Sequence, residues 1–363
     1  MKYIYTIGFV TLLFASNLKA QNQQTLPKAN KIVVKVAVVI QDPIINGKRM
    51  HEVLRTPGNE KRVWSDPFQL TRDYEATLEK TSGGTIDYQI VELIDTKEYF
   101  TFLKKSGERL TEARVIELMQ EPNWKTLKEQ ETGFDYKAFV EHFGFDKKRN
   151  SGKINEVWVW SFPYGGMAES NMMGEGAFFI NSEPTPNTNC KELLSVMGLN
   201  YERDLACALE SYGHRFESTM MKVYGWWDYD KKSNISELTP WERYAGYVKN
   251  YNKFNSGKAH IGNIHFPPNG QHDYDWANKS KVDTYADNWA FFPNISDENP
   301  RTIDCSEWGC SHIGYMEWWF THIPHFKGVS PKDGKLNNWW YYVVDYNGAI
   351  RLANKLDKGA HQK

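Results

Sequence analysis

Between residues 200 and 224 the chain reads NYERDLACALESYGHRFESTMMKVY, and at helical pitch Arg203, Cys207, Glu210, His214 and Glu217 fall on one narrow side. Leu205, Leu209, Tyr212 and Phe216 fall on the other, so this helix can lie on a core while presenting carboxylates around an imidazole. Such a group can hold a divalent metal, zinc or calcium, or exchange protons; the same pattern also suits an ordinary solvated helix face. His214 and Glu217, three residues apart, can aim at one ion, with a third ligand from a distant loop and an open position left for water.

Two further segments carry chemistry. AHIGNIHFPPNGQHDYDWAN concentrates His260, His265, His272, Asp273 and Asp275 among prolines and glycines that force turns. Histidine titrates near neutrality, so His265 is a candidate base or ligand. Asp273, Asp275 and Asn278 offer oxygens to calcium, although the EF-hand spacing is missing. The other segment, YGGMAESN, follows an apolar run and brings Tyr164, Glu169 and Asn171 to the carboxyl end of an expected strand, where ligands of α/β sheets usually bind.

Aromatic residues are abundant, with 14 Trp and 20 Tyr, many in loop-like sequence after residue 225. Trp318 and Trp319, and Trp339 and Trp340, are adjacent pairs; in extended backbone one member of each pair points outward, which makes Trp318 and Trp339 the expected platforms for sugar rings.

The elements that must position these groups are legible in outline. Residues 1–20 read as a secretory signal peptide, with Lys2, a short apolar core and Ala20 before a polar linker at 21–30. KIVVKVAVVI, IDYQIVELI, INEVWVWSFP, AFFIN and VMGLNY read as strands; DPFQLTRDYEATLEKTSGG, the patterns at 111–119 and 135–143, and residues 203–223 read as helices. Their alternation predicts an α/β fold: a mixed, largely parallel sheet flanked by helices over 31–224, with a loop-rich aromatic region at 225–363 packed on it as one unit.

Formal net charge is −1, from 44 basic and 45 acidic residues without a basic stripe, which argues against nucleic acid as a partner. No segment beyond the leader is apolar enough for stable membrane insertion. The four cysteines of an exported chain predict disulfides, Cys305 with Cys310 first and Cys190 with Cys207 second. GxSxG, HExxH and Walker patterns are absent, as is a glycine fingerprint after the first strand.

The blocks WVWSFPYGGMAESNMMGEGAFFINSEP, NYERDLACALESYGHRFES, HFPPNGQHDYDWAN and LNNWWYYVVDYN resemble an uncharacterised family of secreted bacterial proteins. The resemblance covers most of the chain after the leader, implies one exported unit and brings no activity with it.

These readings converge on a secreted or periplasmic enzyme acting on poly- or oligosaccharides that contain uronic acids. Hydrolysis needs two flanking carboxyl groups, for which Glu169, Glu210, Glu217 and Asp273 are candidates. Elimination needs Arg215 or a metal to neutralise the sugar carboxylate, and His214, His265 or Tyr164 as base. Asn171, Trp318 and Trp339 complete the expected substrate contacts. One alternative is a zinc peptidase that uses His214 and Glu217 with His322 or His325, a spacing superficially similar to the zinc-carboxypeptidase pattern. The other is a non-catalytic glycan-binding protein.

Overall fold

The run IVVKVAVVI forms β1 (Ile32–Ile40). It lacks polar alternation because both faces are buried: Val34, Val36, Val38 and Ile40 enter one apolar cluster, Ala37 and Val39 another. The computed structural model describes residues 25–225, 237–246 and 258–360; the expected leader lies outside these. From β1 the chain crosses through α1 (Pro67–Thr81), capped by Asp66 with Pro67 at its first position, to β2 (Ile86–Asp95), which pairs parallel to β1.

The charged excursion holds α2 (Glu112–Gln120) and α3 (Tyr136–Phe143); α3 packs Phe139 and Val140 under the sheet. The chain then returns as β3 (Glu156–Ser161), β4 (Ser170–Met173) and β5 (Leu194–Asn200). The sheet order is β4-β5-β3-β1-β2, with β4 antiparallel and the others parallel. This is the expected α/β architecture: a mixed, mostly parallel sheet flanked by helices, followed by an aromatic-rich C-terminal half. α4 (Leu205–Tyr224) leaves the carboxyl end of β5 and packs on the first cluster, against α5 (His312–Thr321) and α6 (Trp339–Val344). α7 (Tyr346–Ala360) closes the described chain. Among the described residues no helix is long and apolar enough to cross a membrane.

Several expectations are corrected. AFFIN is not a strand; the edge strand is the more polar SNMM of β4. Its polar side chains clasp residues 180–185: Ser170 Oγ donates to the Ile180 carbonyl, and Asn171 Nδ2 donates to Ser182 Oγ and the Glu183 carbonyl. Thr185 Oγ1 donates to Asn171 Oδ1 at 2.7 Å, so Asn171 is buried and committed to structure instead of substrate.

The Trp pairs are helical, and both members of each are buried. Trp318 packs among Trp308, Tyr315 and His322, and Trp339 among Tyr224, Trp241, Tyr244, Trp289 and Phe292. Neither can offer a face to a sugar, because these rings are the core of the second half. Part of the supposed linker is fixed as well: Ala29 N donates to the His325 carbonyl and Lys327 N to the Pro27 carbonyl, both at 2.9 Å.

Cys305 and Cys310 form the expected disulfide. Cys190 and Cys207 remain free thiols, because Cys190 belongs to the apolar cluster across the sheet from the one α4 packs on.

Arg215 is also removed from the candidate site. Its side chain is 1% exposed and donates through Nη2 to Glu156 Oε2 at 2.8 Å and to the Val343 carbonyl at 2.7 Å. It therefore joins α4 to β3 and α6 inside the core, with no surface for a substrate carboxylate. Removing one member of such a buried pair leaves the other charge stranded, at a cost of roughly 3–5 kcal/mol. Arg215→Met should lose about that much stability in urea denaturation, and Arg215→Met combined with Glu156→Gln should recover part of it. A single variant as stable as the parent would show that the pair is not the anchor.

Candidate metal centre

α4 starts where Asp204 accepts a hydrogen bond from the Cys207 amide, and its ionisable side turns toward the loop that follows residue 258. Two spacings on that helix do the positioning. Glu210 and His214, one turn apart, bring Glu210 Oε1 within 3.9 Å of His214 Nε2. His214 and Glu217 bring His214 Nδ1 within 3.3 Å of Glu217 Oε2. The imidazole thus has a carboxylate on each nitrogen.

The loop supplies the next group. Asn263 Oδ1 accepts from the amides of His265 and Phe266, at 3.1 and 3.0 Å, which folds a tight turn. Tyr315 Oη lies 2.8 Å from the Asn263 carbonyl and 3.0 Å from that of Phe266, so α5 holds the turn against the helix. Glu217 Oε1 accepts from the Ile264 amide at 2.9 Å, tying the turn to α4 directly. His265 Nε2 consequently sits 3.1 Å from Glu210 Oε1, with its ring 4.7 Å from that of His214, edge to face.

Gly213 permits this approach. A Cβ there would lie 2.1 Å from Ile264 Cδ1 and 2.5 Å from Cγ1, and Ile264 is fully enclosed.

A fourth segment completes the cluster. The Cys305–Cys310 loop ends in Ser311, which caps α5, and His312 is the first residue of that helix. Trp276 stacks on the His312 ring at 4.9 Å and 6°, and His312 Nε2 lies 3.1 Å from Glu210 Oε2. Glu210 therefore has one oxygen toward His214 and His265 and the other toward His312. Burial alone would raise its carboxyl, but the hydrogen bond from His265 and the closeness of His312 outweigh that and bring it down to about 2. His214 moves upward: burial opposes protonation, while Glu217 first, then Glu169 and Glu210, overcome it. Burial pushes the Cys207 thiol up to about 11.

Donor atoms of Glu210, His214 and His265 all lie within 4.8 Å of one another, as do those of Cys207, Glu210 and His312. Ligands about 2.0–2.3 Å from a tetrahedral zinc stand roughly 3.3–3.8 Å apart, so either set needs only a small contraction. Glu217 belongs to neither. It lies on the Nδ1 side of His214 and orients the ring, with Nε2 left to face the cluster, which is the usual place of a carboxylate behind a metal-bound histidine. Of the expected His214 and Glu217 pair, His214 belongs to a donor group and Glu217 stands behind it.

Beside the cluster, beyond the carboxyl ends of β3 and β5, lies a cavity of about 180 Å³ lined by Ser161, Tyr164, Glu169, Asn200 and Arg203 among others, with Cys207 as the donor of the cluster that reaches its wall. Glu169 links the two: its Oε2 accepts from Asn181 Nδ2 and stands 4.0 Å from His214 Nε2. Tyr164, 45% exposed, reaches this cavity, and its ring meets Trp124 edge-on and the Lys128 ammonium. Asp273 lies 3.9 Å behind His265, Oδ1 to Nδ1. Tyr274, 52% exposed, places its ring 4.5 Å from that of His265.

The remaining candidates lie elsewhere. His260 is buried beside Trp289 and Asp297, and His272 is exposed. Asp275 Oδ2 accepts from Gln271 N and Asn278 Nδ2, so these oxygens close the loop instead of gathering around calcium. His322 and His325 line a separate cavity with Leu26 and Trp289, which corrects their expected place as third ligand of a His214 zinc site.

Sequence reading missed His312, a lone histidine at a helix start, and Tyr274; only the fold brings them to α4. Comparison with protein-family models, curated proteins and solved structures finds no match to this chain.

Overpacking a close contact costs about 1–3 kcal/mol. Alanine gains up to roughly 1 kcal/mol over glycine inside a helix. With Ile264 unable to withdraw, Gly213→Ala should be a net loss, read as a lower urea midpoint; an unchanged or higher midpoint would show that the α4–loop contact can yield.

Proposed function

We propose that this protein is a secreted, metal-dependent hydrolase in which Glu210, His214 and His265 hold one divalent cation, and that its substrate offers a carbonyl, a peptide being the first candidate. The observation that carries this reading is the second layer of carboxylates. Glu217 accepts at His214 Nδ1 at 3.3 Å, which leaves the Nε2 lone pair of that ring for an ion beside Glu210, and Asp273 lies on the Nδ1 side of His265 at 3.9 Å, where a small side-chain movement would let it do the same. Two imidazoles and a carboxylate with an open position favour zinc, and are the ligand set of many zinc enzymes that cleave acyl bonds. An oxygen-rich calcium shell is not what these side chains offer.

When bound, zinc lowers the pKa of its water to about 7. The chain supplies the rest. Glu169, held by Asn181 at the edge of the cavity with Oε2 4.0 Å from His214 Nε2, would serve as the base that takes a proton and returns it to the leaving group. Tyr274 is held in its protonated form, first by partial burial and then by the charges of Glu210, Asp273 and Glu169, and its hydroxyl is available to a carbonyl oxygen as charge develops.

The glycan reading has lost Trp318, Trp339 and Arg215 to the core. One observation still favours it: Tyr164 and Tyr274 are exposed near the centre and could stack on a sugar, with the cation in place of Arg215 against a uronate.

Mass spectrometry of peptide and uronic-acid oligosaccharide panels separates these readings. Peptide cleavage with gain of water, abolished by a chelator and restored by zinc, is the expected result. Chelator-sensitive oligosaccharide cleavage without gain of water would transfer the centre to elimination, and chelator-resistant turnover would overturn the metal reading. His265→Ala should release the ion. Glu217→Gln should weaken metal binding by about 10–100-fold, the usual effect of losing a group behind a ligand.

A further inference from the structure

We propose that Cys207, Glu210 and His312 form a second divalent-cation site, and that Glu210 bridges it to the first. The inference rests on the reading of Glu210, His214 and His265 as one cation site and extends it to a two-metal centre.

The geometry of Glu210 carries the argument. Its Oε1 faces His214 Nε2 at 3.9 Å and His265 Nε2 at 3.1 Å, while Oε2 faces His312 Nε2 at 3.1 Å. A carboxylate divided in this way can give one oxygen to each of two ions. Ions bridged so stand about 3.5–4 Å apart in hydrolytic two-metal sites. Cys207, one turn before Glu210 on the same face of α4, brings its sulfur within 4.8 Å of the Glu210 and His312 donor atoms.

Cys207 and His312 are both held facing Glu210. Cys207 is a free thiol, separated by the sheet from Cys190. His312 is clamped by Trp276 on its face and by the disulfide two residues earlier, and its buried Nε2, 3.1 Å from Glu210 Oε2, makes no aligned hydrogen bond there. Cys207 also lines the cavity with Glu169 and Arg203, and Glu169 Oε2 stands 4.0 Å from His214 Nε2, so an ion at Cys207 would border a cavity that reaches toward the first site through Glu169.

A thiolate, an imidazole and a carboxylate suit zinc or cobalt over magnesium or calcium. The step is simple substitution: the thiol proton goes to solvent as the sulfur–metal bond forms. Arg203 and Ser211, which line the cavity beside Cys207, would then meet the part of a substrate bound nearest the second ion.

Cobalt(II) titration of the metal-stripped full-length protein, with the disulfide kept oxidised, tests this. Two cobalt ions per chain are expected, with a near-ultraviolet thiolate-to-cobalt absorption band. Cys207→Ser and His312→Gln should each reduce the stoichiometry to one, and Cys207→Ser should remove the band. His214→Ala with His265→Ala should keep the band and lose the other ion.

One cobalt without a thiolate band in the parent protein would overturn the second site and leave the first standing. A band that survives Cys207→Ser would also overturn it. A band with one ion per chain, unaffected by loss of His214 and His265, would retain the Cys207 site and overturn the first together with the bridge. No cobalt binding would remove both. The parent spectrum decides even if a variant fails to fold.

Discussion

The buried ion pair between Arg215 and Glu156 fixes what the rest of the molecule can do. A guanidinium in a core is tolerated only with a partner at hydrogen-bonding distance, and here the partner belongs to the central strand β3. Glu156 is held in turn by Trp158 Nε1 at 2.7 Å. Rotation of α4 about its axis would separate Arg215 from both Glu156 and the Val343 carbonyl. With Arg215 directed inward, its neighbour His214 must point roughly 100° away around the helix, toward the loop and the cavity. The orientation of the ionisable face is thus set from the core side by the residue next to its central histidine.

A second constraint operates at Glu210. Three histidines and a cysteine gather near one carboxylate that is 8% exposed, and a charge so enclosed persists only because its neighbours compensate it. His265 and His312 reach it from segments 55 and 102 residues downstream (265 − 210 and 312 − 210). Those segments are joined to each other: the Cys305 amide donates to the Asn278 carbonyl, and Trp308 Nε1 donates to the Trp276 carbonyl at 2.7 Å. The disulfide loop and the histidine loop therefore form one support, and displacement of either would withdraw its histidine from Glu210.

The sheet and its helices were legible because parallel strands buried on both faces read as long Val- and Ile-rich runs, and the helices between them keep an apolar stripe with polar caps. β4 was not legible, since Ser170 and Asn171 suit an edge strand only through side-chain bonds to residues 180–185 that lie well ahead in the chain. Within the centre, spacing along one helix joined Glu210, His214 and Glu217, and local density of His and Asp marked the His265 loop. Periodicity says nothing of which nitrogen of His214 meets which carboxylate, so the places of Glu210 and Glu217 around the ring could not be told apart. His312 had no local signal. The tryptophans misled for a physical reason: an aromatic residue offers the same apolar face to a ligand and to a core, and only packing shows which receives it.

That packing also explains how a polar centre can sit so close to the interior. Leucine and valine alone would fill the second half with pliable side chains, whereas Trp319, Trp339 and Trp340 are broad rigid plates, fully enclosed. Trp319 spends its only polar atom on the backbone next to the site, with Nε1 donating to the Gly262 carbonyl at 3.0 Å. Gly262, at φ +92, has no room for a Cβ beside the Phe266 carbonyl. The turn that carries His265 is thus pressed between an aromatic plate and the close approach at Gly213, and has little freedom to move without opening the core. A cluster built in this way keeps its donor atoms close to one another through the fold itself, so the cost of ordering them falls on folding.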